Sequence, residues 1–325
     1  MGEKLLYLSR DQVASCNTGI IEIIDTVEEA FKKKGQGVTE LPLKPTIHPR
    51  PDCFLRALAG YISGLDVAGL KWVSAYPINR DSGLPLVSGL ILLNNPETGL
   101  PLAVMDGSWI TAWRTAAVSA VATRHLVIQG ATTLSICGAG VQGNSHLEAL
   151  LYVLPELQEV NVFDSSPRAM ERFLSTHQLS YPELTFKATS SPEEAVKGAH
   201  VVVTAAPMLT TRRAEIKGDW LAPGTLCLPL DFDSYFAPSA FAVCKKFYTD
   251  DNDQLLWFKG NGRFSDLPDL IGDLGHLVSG RVHGRENEDE RIMVISVGVA
   301  LGDLVTANLI YRKASSLNIG TWLDL

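Results

Sequence analysis

Long apolar runs and paired cysteines are both missing from this sequence. Every apolar stretch is interrupted by a charge, a glycine or a proline before it reaches the roughly 18 residues that a membrane span needs. The five cysteines are scattered without a CxxC pair, and the seven histidines lack the spacing of metal ligands. We therefore expect no membrane span, no disulfide framework and no metal site. Because the first residues also lack a basic segment followed by an apolar one, we expect a cytoplasmic protein.

Clustered positive charge is also scarce. The 28 lysines and arginines are outnumbered by 36 aspartates and glutamates, and the formal net charge is −8. Nucleic acids and anionic membranes bind to basic faces, so we expect neither as a partner. The chain has 325 residues, 46% of them hydrophobic and 20% charged, which allows a large core and about two domains.

The second half of the chain alternates between two patterns. From about residue 132 to 297, short β-branched runs are followed by helical segments. Such apolar runs are typical of parallel strands buried on both faces. The alternation predicts a doubly wound α/β Rossmann domain over residues 126–299. Its predicted strands span 133–137, 159–163, 200–204, 225–228, 247–249 and 293–296.

The first part of the chain has a different rhythm, which indicates a separate α+β domain. The last predicted helix, 299–316, follows the final Rossmann strand, and we expect it to pack on this first domain. Residues 1–125 and 300–325 would then form one discontinuous domain that binds substrate and forms dimers. The predicted helices of its first part span 10–34 and 111–126, and the predicted strands 55–61, 69–76 and 86–93.

A glycine-rich turn, GAGVQG at residues 138–143, links a predicted strand to a helical segment. Gly138 permits the tight turn, Gly140 lets the backbone approach a pyrophosphate, and Gly143 lets helix and strand pack closely. N–H groups at the helix start then face the anion. Asp164, 21 residues after Gly143, would accept hydrogen bonds from ribose hydroxyls and repel a 2′-phosphate, which favours NAD over NADP. The alternative is a turn without a cofactor, in which Asp164 caps the next helix.

Three cations stand in otherwise apolar segments: Arg56 in FLRAL, Lys71 in GLKWVS and Arg114 in ITAWRTAA. Cations at such positions can bind the carboxylate of a small substrate, and arginine does so through two parallel hydrogen bonds. The alternatives are a lysine that reaches solvent from an exposed face and an ion pair between Arg114 and Asp106.

Two acids, Asp231 and Asp233, follow the predicted strand at 225–228. Ligands of parallel sheets bind at the carboxyl ends of the strands. A carboxylate at that edge, beside a nicotinamide, can act as a general acid or base on an amine or imine. The alternative is a pair of solvated acids in a turn.

Five segments together resemble the ornithine cyclodeaminase/mu-crystallin family. The resemblance implies a homodimer built through the first domain, and a substrate bound between that domain and the Rossmann domain. Members of the family include lyases, amino-acid dehydrogenases, ketimine reductases and a hormone-binding crystallin. The five segments lie within residues 69–74, 89–99, 106–119, 138–143 and 284–298.

The resemblance also implies roles for single residues. Lys44, Lys71 and Arg114 match positions that bind the substrate α-carboxylate, and Asp233 matches the acid/base, so Asp233 and Lys71 are the predicted catalytic residues. Arg56 stands where ornithine cyclodeaminases carry an acid for the distal ammonium, which favours a substrate with an extra anionic group. Val297 is the remaining predicted substrate contact. The predicted cofactor contacts are Thr115, Gly138, Gly140, Val141, Gln142, Gly143, Asp164, Thr204 and Ser296.

The leading hypothesis is an NAD(P)-dependent oxidoreductase that transfers hydride to or from the α-carbon of a small amino or imino acid. NAD is the expected cofactor, and NADP is the less favoured one. Asp233 would take or relay the proton on the substrate nitrogen. Two alternatives stay open. One is an ornithine cyclodeaminase, a lyase that uses catalytic NAD to convert ornithine to proline and ammonia, and the other is a non-enzymatic NAD(P)H-dependent binding protein of the crystallin type.

Overall fold

Two β-sheets organise the chain, and each belongs to a compact unit of its own. The computed structural model describes residues 4–209 and 211–325, without the side chains of residues 80 and 81. One unit consists of Met1–Ala117 with Val299–Leu325, and the other of Val118–Gly298. The first and last parts of the chain therefore share a unit.

The described strands divide between the two units. Strands β1 to β7 and β16 lie in the first unit, and β8 to β15 lie in the second. In chain order, they are β1 (Lys4–Leu8), β2 (Thr39–Glu40), β3 (Thr46–Ile47), β4 (Phe54–Ile62), β5 (Val67–Ala75), β6 (Val87–Asn94), β7 (Pro101–Asp106), β8 (Thr133–Cys137), β9 (Glu159–Phe163), β10 (Thr185–Ala188), β11 (Val201–Thr204), β12 (Leu226–Pro229), β13 (Lys246–Thr249), β14 (Gly272–Asp273), β15 (Ile292–Ile295) and β16 (Thr321–Asp324).

Helices connect these strands, and 3₁₀ turns occur at Ser63–Leu65, Pro77–Ser82 and Gly218–Trp220. The described α-helices are α1 (Arg10–Ser15), α2 (Ile20–Gly35), α3 (Gly107–Leu126), α4 (Val141–Leu151), α5 (Pro167–Ser180), α6 (Pro192–Val196), α7 (Pro238–Val243), α8 (Asn252–Gly260), α9 (Leu274–Val278) and α10 (Ala300–Leu317). None of the helices in the described residues has the length and apolar character that a bilayer crossing requires.

The sheet of the second unit is parallel throughout, in the order β10-β9-β8-β11-β12-β15-β13-β14. Its central strands β11, β12 and β15 are buried along their whole length, which fits their runs of Val, Leu and Ile. The chain order reverses between β8 and β11. Ligands of doubly wound sheets bind at such a switch point, beyond the carboxyl ends of the strands. The predicted Rossmann fold is confirmed.

The sheet of the first unit runs β16-β1-β7-β6-β5-β4-β2, with β3 paired to β4. Its neighbours are antiparallel except β1 and β7. Helix α10 packs on β4, β5 and β6 and against α2. Gly69 allows this approach, since a Cβ there would lie 2.3 Å from the Leu92 carbonyl oxygen and 2.9 Å from Cδ2 of Leu304 on α10. Because alternate strand residues share a face, Lys71 lies on this same side of the sheet.

Several predicted bounds need correction. The predicted helix 10–34 is two helices, since Asn17 adopts a φ of 49° and α2 restarts after Gly19. The helix predicted from residue 111 begins at Gly107, where the Asp106 carboxylate accepts the N–H groups of Ser108 and Trp109. The helical segment expected after the glycine turn begins within the turn, at Val141. No strand was predicted at seven of the positions where the described residues form one: β1, β2, β3, β7, β10, β14 and β16.

The units divide before residues 118 and 299, and α3 continues across the first of these boundaries. The functional division, in which residues 1–125 and 300–325 bind substrate and form dimers while residues 126–299 bind the dinucleotide, stays a prediction. It is taken up again below as part of the proposed function.

Candidate active site

The glycine turn follows β8 at the carboxyl edge of the parallel sheet. Gly138 has a φ of 119°, and a Cβ built there would lie 2.7 Å from the backbone of Ala205. A Cβ on Gly143 would lie 2.1 Å from the Gly138 carbonyl oxygen. At Gly140 no other group of the described residues comes within 4 Å of such a Cβ. The turn is therefore closely packed at Gly138 and Gly143 and open to a ligand at Gly140.

The start of α4 fits an anion. Its N-cap, Gly140, offers no side-chain cap, so the first N–H groups of the helix can bind a phosphate. Gln142 adds a buried Oε1 for which the described residues provide no hydrogen-bond partner. Val141 is 68% exposed beside it. These features fit a dinucleotide. The open backbone at Gly140 and the uncapped N–H groups suit its pyrophosphate, and the unpaired Oε1 of Gln142 can accept a hydrogen bond from a ribose hydroxyl.

Asp164 follows β9, and its carboxylate binds backbone groups of two segments. Oδ2 accepts the N–H of Ala139 at 2.8 Å, and Oδ1 accepts the N–H of Ser166 at 2.7 Å. The acid thereby fixes the glycine turn. Helix α5 is capped by Ser166, so the alternative in which Asp164 caps that helix is wrong. Recognition of the ribose by Asp164 stays a prediction.

Asp231 is a buried acid just beyond β12. Thr204, the last residue of β11, donates its hydroxyl to Oδ1 of Asp231 at 2.9 Å. Oδ2 of Asp231 is buried and has no hydrogen-bond partner in the described residues. Burial raises the pKa of Asp231 to about 7, although hydrogen bonds from Thr204 and the Ala206 N–H oppose the shift. A carboxyl group with such a pKa can accept or donate a proton near neutral pH.

A strained residue separates Asp231 from Asp233. Phe232 has a φ of 62°, which is rare for an aromatic residue and costs about 1–3 kcal/mol. Its ring packs on Phe258 and Phe264, with centroids 5.0 and 5.5 Å away. These ring contacts stabilise the left-handed backbone at Phe232. The acids on either side of it, Asp231 and Asp233, have different partners.

Asp233 lies between a backbone N–H group and two arginines. Its Oδ2 accepts the N–H of Phe264 at 2.8 Å, and its Oδ1 lies 2.8 Å from Nη2 of Arg263. Arg212 donates Nε to the backbone carbonyl of Asp233 at 2.8 Å and also pairs with Asp266. The predicted acid/base is thus a buried carboxylate held beside guanidinium groups from two loops. Sequence reasoning missed both arginines, since each lies in a loop with no other signal.

Ser296 and Val297 follow β15 at the same carboxyl edge. The N–H groups of Val297 and Gly298 donate to the two carboxylate oxygens of Asp250, at 2.9 and 2.7 Å. Asp250 itself follows β13 and is buried. This carboxylate fixes the segment that carries the predicted cofactor contact Ser296 and the predicted substrate contact Val297.

In the first unit, a buried acid on α10 joins two of the predicted cations. Oδ1 of Asp303 lies 2.7 Å from Nζ of Lys71 on β5 and 2.8 Å from Nε of Arg114 on α3. Asp303 is fully buried, and Lys71 is 2% exposed. Nζ of Lys71 also lies 3.4 Å from the Thr111 hydroxyl. The alternatives for these cations, an exposed lysine and an ion pair between Arg114 and Asp106, are therefore wrong.

Arg56 lies on the same sheet face as Lys71. The register pairs Leu58 with Lys71 and Arg56 with Val73, so these residues share one side of the sheet. Nε of Arg56 donates to the Thr46 hydroxyl at 2.9 Å, and its guanidinium stacks 4.2 Å from the Phe54 ring centroid. Burial lowers the pKa of Arg56 to about 10. The guanidinium is therefore partly desolvated, on the sheet face that carries the cluster of Lys71, Arg114 and Asp303.

The other predicted residues of the first unit are Lys44 and Thr115. Lys44 is buried in the segment between β2 and β3. Thr115 lies on α3, one residue after Arg114, and its hydroxyl donates to the Thr111 carbonyl oxygen. The structure therefore gathers Lys71, Arg114 and Arg56, and the roles of all these residues stay predictions.

Sequence reasoning missed Asp303. A signal was available, since Asp303 is the one acid in the helical stretch from residue 299 to 316, which is largely apolar. Pairing it with Lys71 required knowledge of how α10 packs. Among the described residues, no group of three or more His, Cys, Asp or Glu side chains is arranged to hold a metal ion.

Known proteins resemble this chain over nearly its full length. A model of the ornithine cyclodeaminase/mu-crystallin family matches residues 5–318. The chain belongs to this family. A relative across the full length of both chains is the N-((2S)-2-amino-2-carboxyethyl)-L-glutamate dehydrogenase of Staphylococcus aureus, with 32% identity.

Two solved structures of the family extend the likeness to the fold. The Delta(1)-pyrroline-2-carboxylate reductase of Thermococcus litoralis, in complex with NADH and L-proline, has 30% identity and a TM-score of 0.87, covering 98% of this chain and 99% of that one. An archaeal alanine dehydrogenase dimer with bound NAD has 29% identity and a TM-score of 0.88, covering 99% and 100%. The predicted family is confirmed, and these relatives are dehydrogenases and reductases with bound or named amino-acid ligands.

Substitutions at two glycines of the turn distinguish an effect on cofactor binding from an effect on stability. Gly143→Ala forces a methyl group against the Gly138 carbonyl, so we expect weaker NADH binding and a loss of about 1–3 kcal/mol of stability from overpacking. Gly140→Ala meets open space in the free protein and should keep its stability while losing at least about tenfold in NADH affinity, because the methyl group obstructs the phosphate. NADH fluorescence titration and thermal unfolding measure the two effects. Unchanged NADH affinity in Gly140→Ala would contradict the assignment of the turn.

Proposed function

We propose that this protein is an NAD-dependent oxidoreductase that transfers hydride to or from the α-carbon of an amino or imino acid. The observation that carries the proposal is a buried cation cluster, suited to a carboxylate, in the same chain as a turn built for a dinucleotide. Named relatives with this reaction type cover nearly the full chain. Oxidation of an amino acid and reduction of an imine use the same groups in opposite directions.

Lys71 and Arg114 bind the α-carboxylate in this proposal. An ammonium and a guanidinium in a buried setting bind an anion more strongly than the same groups in water. Fixing the carboxylate also fixes the position of the α-carbon, which supplies part of the rate acceleration through orientation. Lys44, buried on the same unit, is the third proposed carboxylate contact.

The glycine turn, Gln142, Asp164, Thr204 and Ser296 hold the dinucleotide in this proposal. When bound, NAD supplies the hydride acceptor or donor. Asp164 favours NAD over NADP, because a carboxylate beside the ribose repels a 2′-phosphate. Thr115 is a further proposed contact, and Val297 contacts the substrate.

Asp233 takes or returns the proton on the substrate nitrogen. Its buried carboxylate is held in place by the Phe264 N–H and Arg263. Deprotonation of an amine at this carboxylate lets the carbon–nitrogen double bond form as hydride leaves, and the reverse step protonates the reduced nitrogen. Asp231, two residues away, is the second candidate for this role, because its pKa of about 7 suits proton transfer.

The substrate class follows from charge. Arg56, Lys71, Arg114 and Asp303 together carry two more positive charges than negative ones, so a substrate with a second anionic group is favoured. The staphylococcal relative is named for such a compound, an amino acid joined through nitrogen to glutamate. A second amine would be repelled by the Arg56 guanidinium. The same charge disfavours the ornithine cyclodeaminase alternative.

We also propose a homodimer formed through the first unit. The sheet face turned away from α10 exposes large apolar side chains, among them Ile47, Trp72 and Leu90 at 54%, 41% and 50%. A contiguous apolar face of this kind is typical of a protein interface. The structurally similar alanine dehydrogenase is described as a dimer.

The reaction is tested by a substrate panel. We expect NADH formation with NAD⁺ and an amino acid, or NADH consumption with a keto acid and an amine, followed at the absorbance of the reduced cofactor. Asp233→Asn should lower kcat by about 10²- to 10⁴-fold, the usual contribution of an acid/base. Proline and ammonia formed from ornithine without NADH accumulation would instead indicate cyclodeamination. If Asp231→Asn lost the activity and Asp233→Asn kept it, the acid/base role would belong to Asp231.

The second anionic group is tested at Arg56. Arg56→Glu should lower kcat/KM for an amino diacid by about 10- to 100-fold, the value of a hydrogen bond to a charged group, and should raise activity toward diamino acids. Arg50→Glu, at an exposed arginine nearby in sequence, is the matched control. Equal effects of both variants, or no change with Arg56→Glu, would remove Arg56 from the substrate site.

The dimer is tested at the apolar face. Trp72→Asp introduces a charge there, so we expect a shift from dimer to monomer in light scattering coupled to size-exclusion chromatography. Leu179→Asp, at a leucine that is 86% exposed on α5, should stay dimeric. A Trp72→Asp protein with an unchanged mass would assign the interface to another surface.

A further inference from the structure

Asp303 occupies an unusual position within the carboxylate-binding cluster. It is the anion in a site proposed to bind anions, and its Oδ1 already accepts from both Lys71 and Arg114. Its Oδ2 is buried without a hydrogen-bond partner in the described residues. A carboxylate so placed either competes with the substrate or prepares the cations for it.

The geometry at Arg114 indicates that Asp303 orients the cations for the substrate and does not compete with it. Asp303 engages Nε, on the inner edge of the guanidinium. Within the described part of the chain, Nη1 and Nη2 of Arg114 have no hydrogen-bond partner. These two nitrogens form one of the guanidinium edges that can bind a carboxylate through two parallel hydrogen bonds. Asp303 thus orients the guanidinium and leaves its binding edge available.

The charge balance at Lys71 leads to the same conclusion. The charged groups that face its ammonium are Arg56 on β4, Arg114 on α3 and Asp303 on α10. Burial, together with the charges of Arg114 and Arg56, lowers the pKa of Lys71 to about 8, although the charge and hydrogen bond of Asp303 oppose the shift. Without Asp303, a buried lysine between two arginines would lose its proton at a lower pH.

We infer that Asp303 is a positioning residue that keeps the Lys71 ammonium charged and turns the Arg114 guanidinium toward the substrate carboxylate. The inference rests on the proposed function, since it assigns Lys71 and Arg114 to that carboxylate. The loss of the Lys71 proton then sets the upper pH limit of the reaction. Above this limit Lys71 is neutral, and the site loses one of its cations.

The test replaces Asp303 by Asn, which keeps the shape and removes the charge. The NMR signal of Lys71 is observed in protein with isotope-labelled lysines and is assigned by its loss in Lys71→Arg. It reports the protonation of Lys71 without any turnover. We expect a midpoint near pH 8 in the parent protein and a midpoint lower by about 1–3 pH units in Asp303→Asn, the effect of removing an adjacent opposite charge. An unchanged midpoint would overturn the inference.

Substrate kinetics provide the second measurement. The alkaline limb of kcat/KM should move to lower pH in Asp303→Asn. KM should rise at least about fivefold at pH 8 and at most about twofold at pH 5, where at least about half of Lys71 is still charged. Asp303→Glu should recover part of this loss. Tighter substrate binding by Asp303→Asn across the whole pH range would instead identify Asp303 as a competitor for the cations and overturn the inference.

Two controls separate this role from folding and from the proposed function. Thr306→Val changes another buried residue of α10 and should leave the Lys71 midpoint and KM unchanged. NADH affinity, which reports on the second unit, should be equal in Asp303→Asn and the parent. If the parent protein turned over no amino or imino acid, the proposed function would fail, while the shift in the Lys71 midpoint would still decide the inference on Asp303.

Discussion

The first unit is built around a carboxylate that holds two cations far from it in sequence. Asp303 on α10 reaches Lys71 on β5 and Arg114 on α3, and the three side chains are buried. A buried charge is costly unless it is paired, and removing one partner leaves the others uncompensated. Helix α10 must therefore return to the sheet of the first unit after the chain has completed the second. The discontinuous unit and the anion site thus depend on the same interaction.

The second unit concentrates its chemistry at the carboxyl edge of a parallel sheet. The glycine turn after β8, Thr204 on β11 and the acids after β12 all lie there because parallel strands end on one side. The strained Phe232 gives the two acids different surroundings within three residues. Asp231 is buried and accepts a hydrogen bond from the neutral hydroxyl of Thr204, whereas Asp233 faces the guanidinium of Arg263. Two carboxyl groups in such unlike settings can take different proton-transfer roles.

The sequence was most informative where local pattern determines structure. Apolar runs bounded by turn residues predicted the central Rossmann strands, and the order of strand, glycine turn and acid predicted the dinucleotide turn. The prediction also overlooked the break at Asn17, although Asn17 and Gly19 are both residue types that favour a break in a helix. It also missed Asp303, Arg212 and Arg263, since each acts through a partner more than 20 residues away in sequence. Long-range ion pairs leave no periodic signal.

The overall charge of the protein determines how an anionic substrate can be recognised. With a formal net charge of −8, the chain repels anions at long range, and salt screens that repulsion beyond a Debye length of about 8–10 Å. Electrostatic steering therefore contributes little to the capture of a carboxylate. The attraction has to arise at short range, where Lys71 and Arg114 are withdrawn from water and each contact is stronger than it would be at the surface. Specificity then rests on the positions of a few buried groups, and it is sensitive to the protonation of Lys71, whose pKa of about 8 lies close to physiological pH.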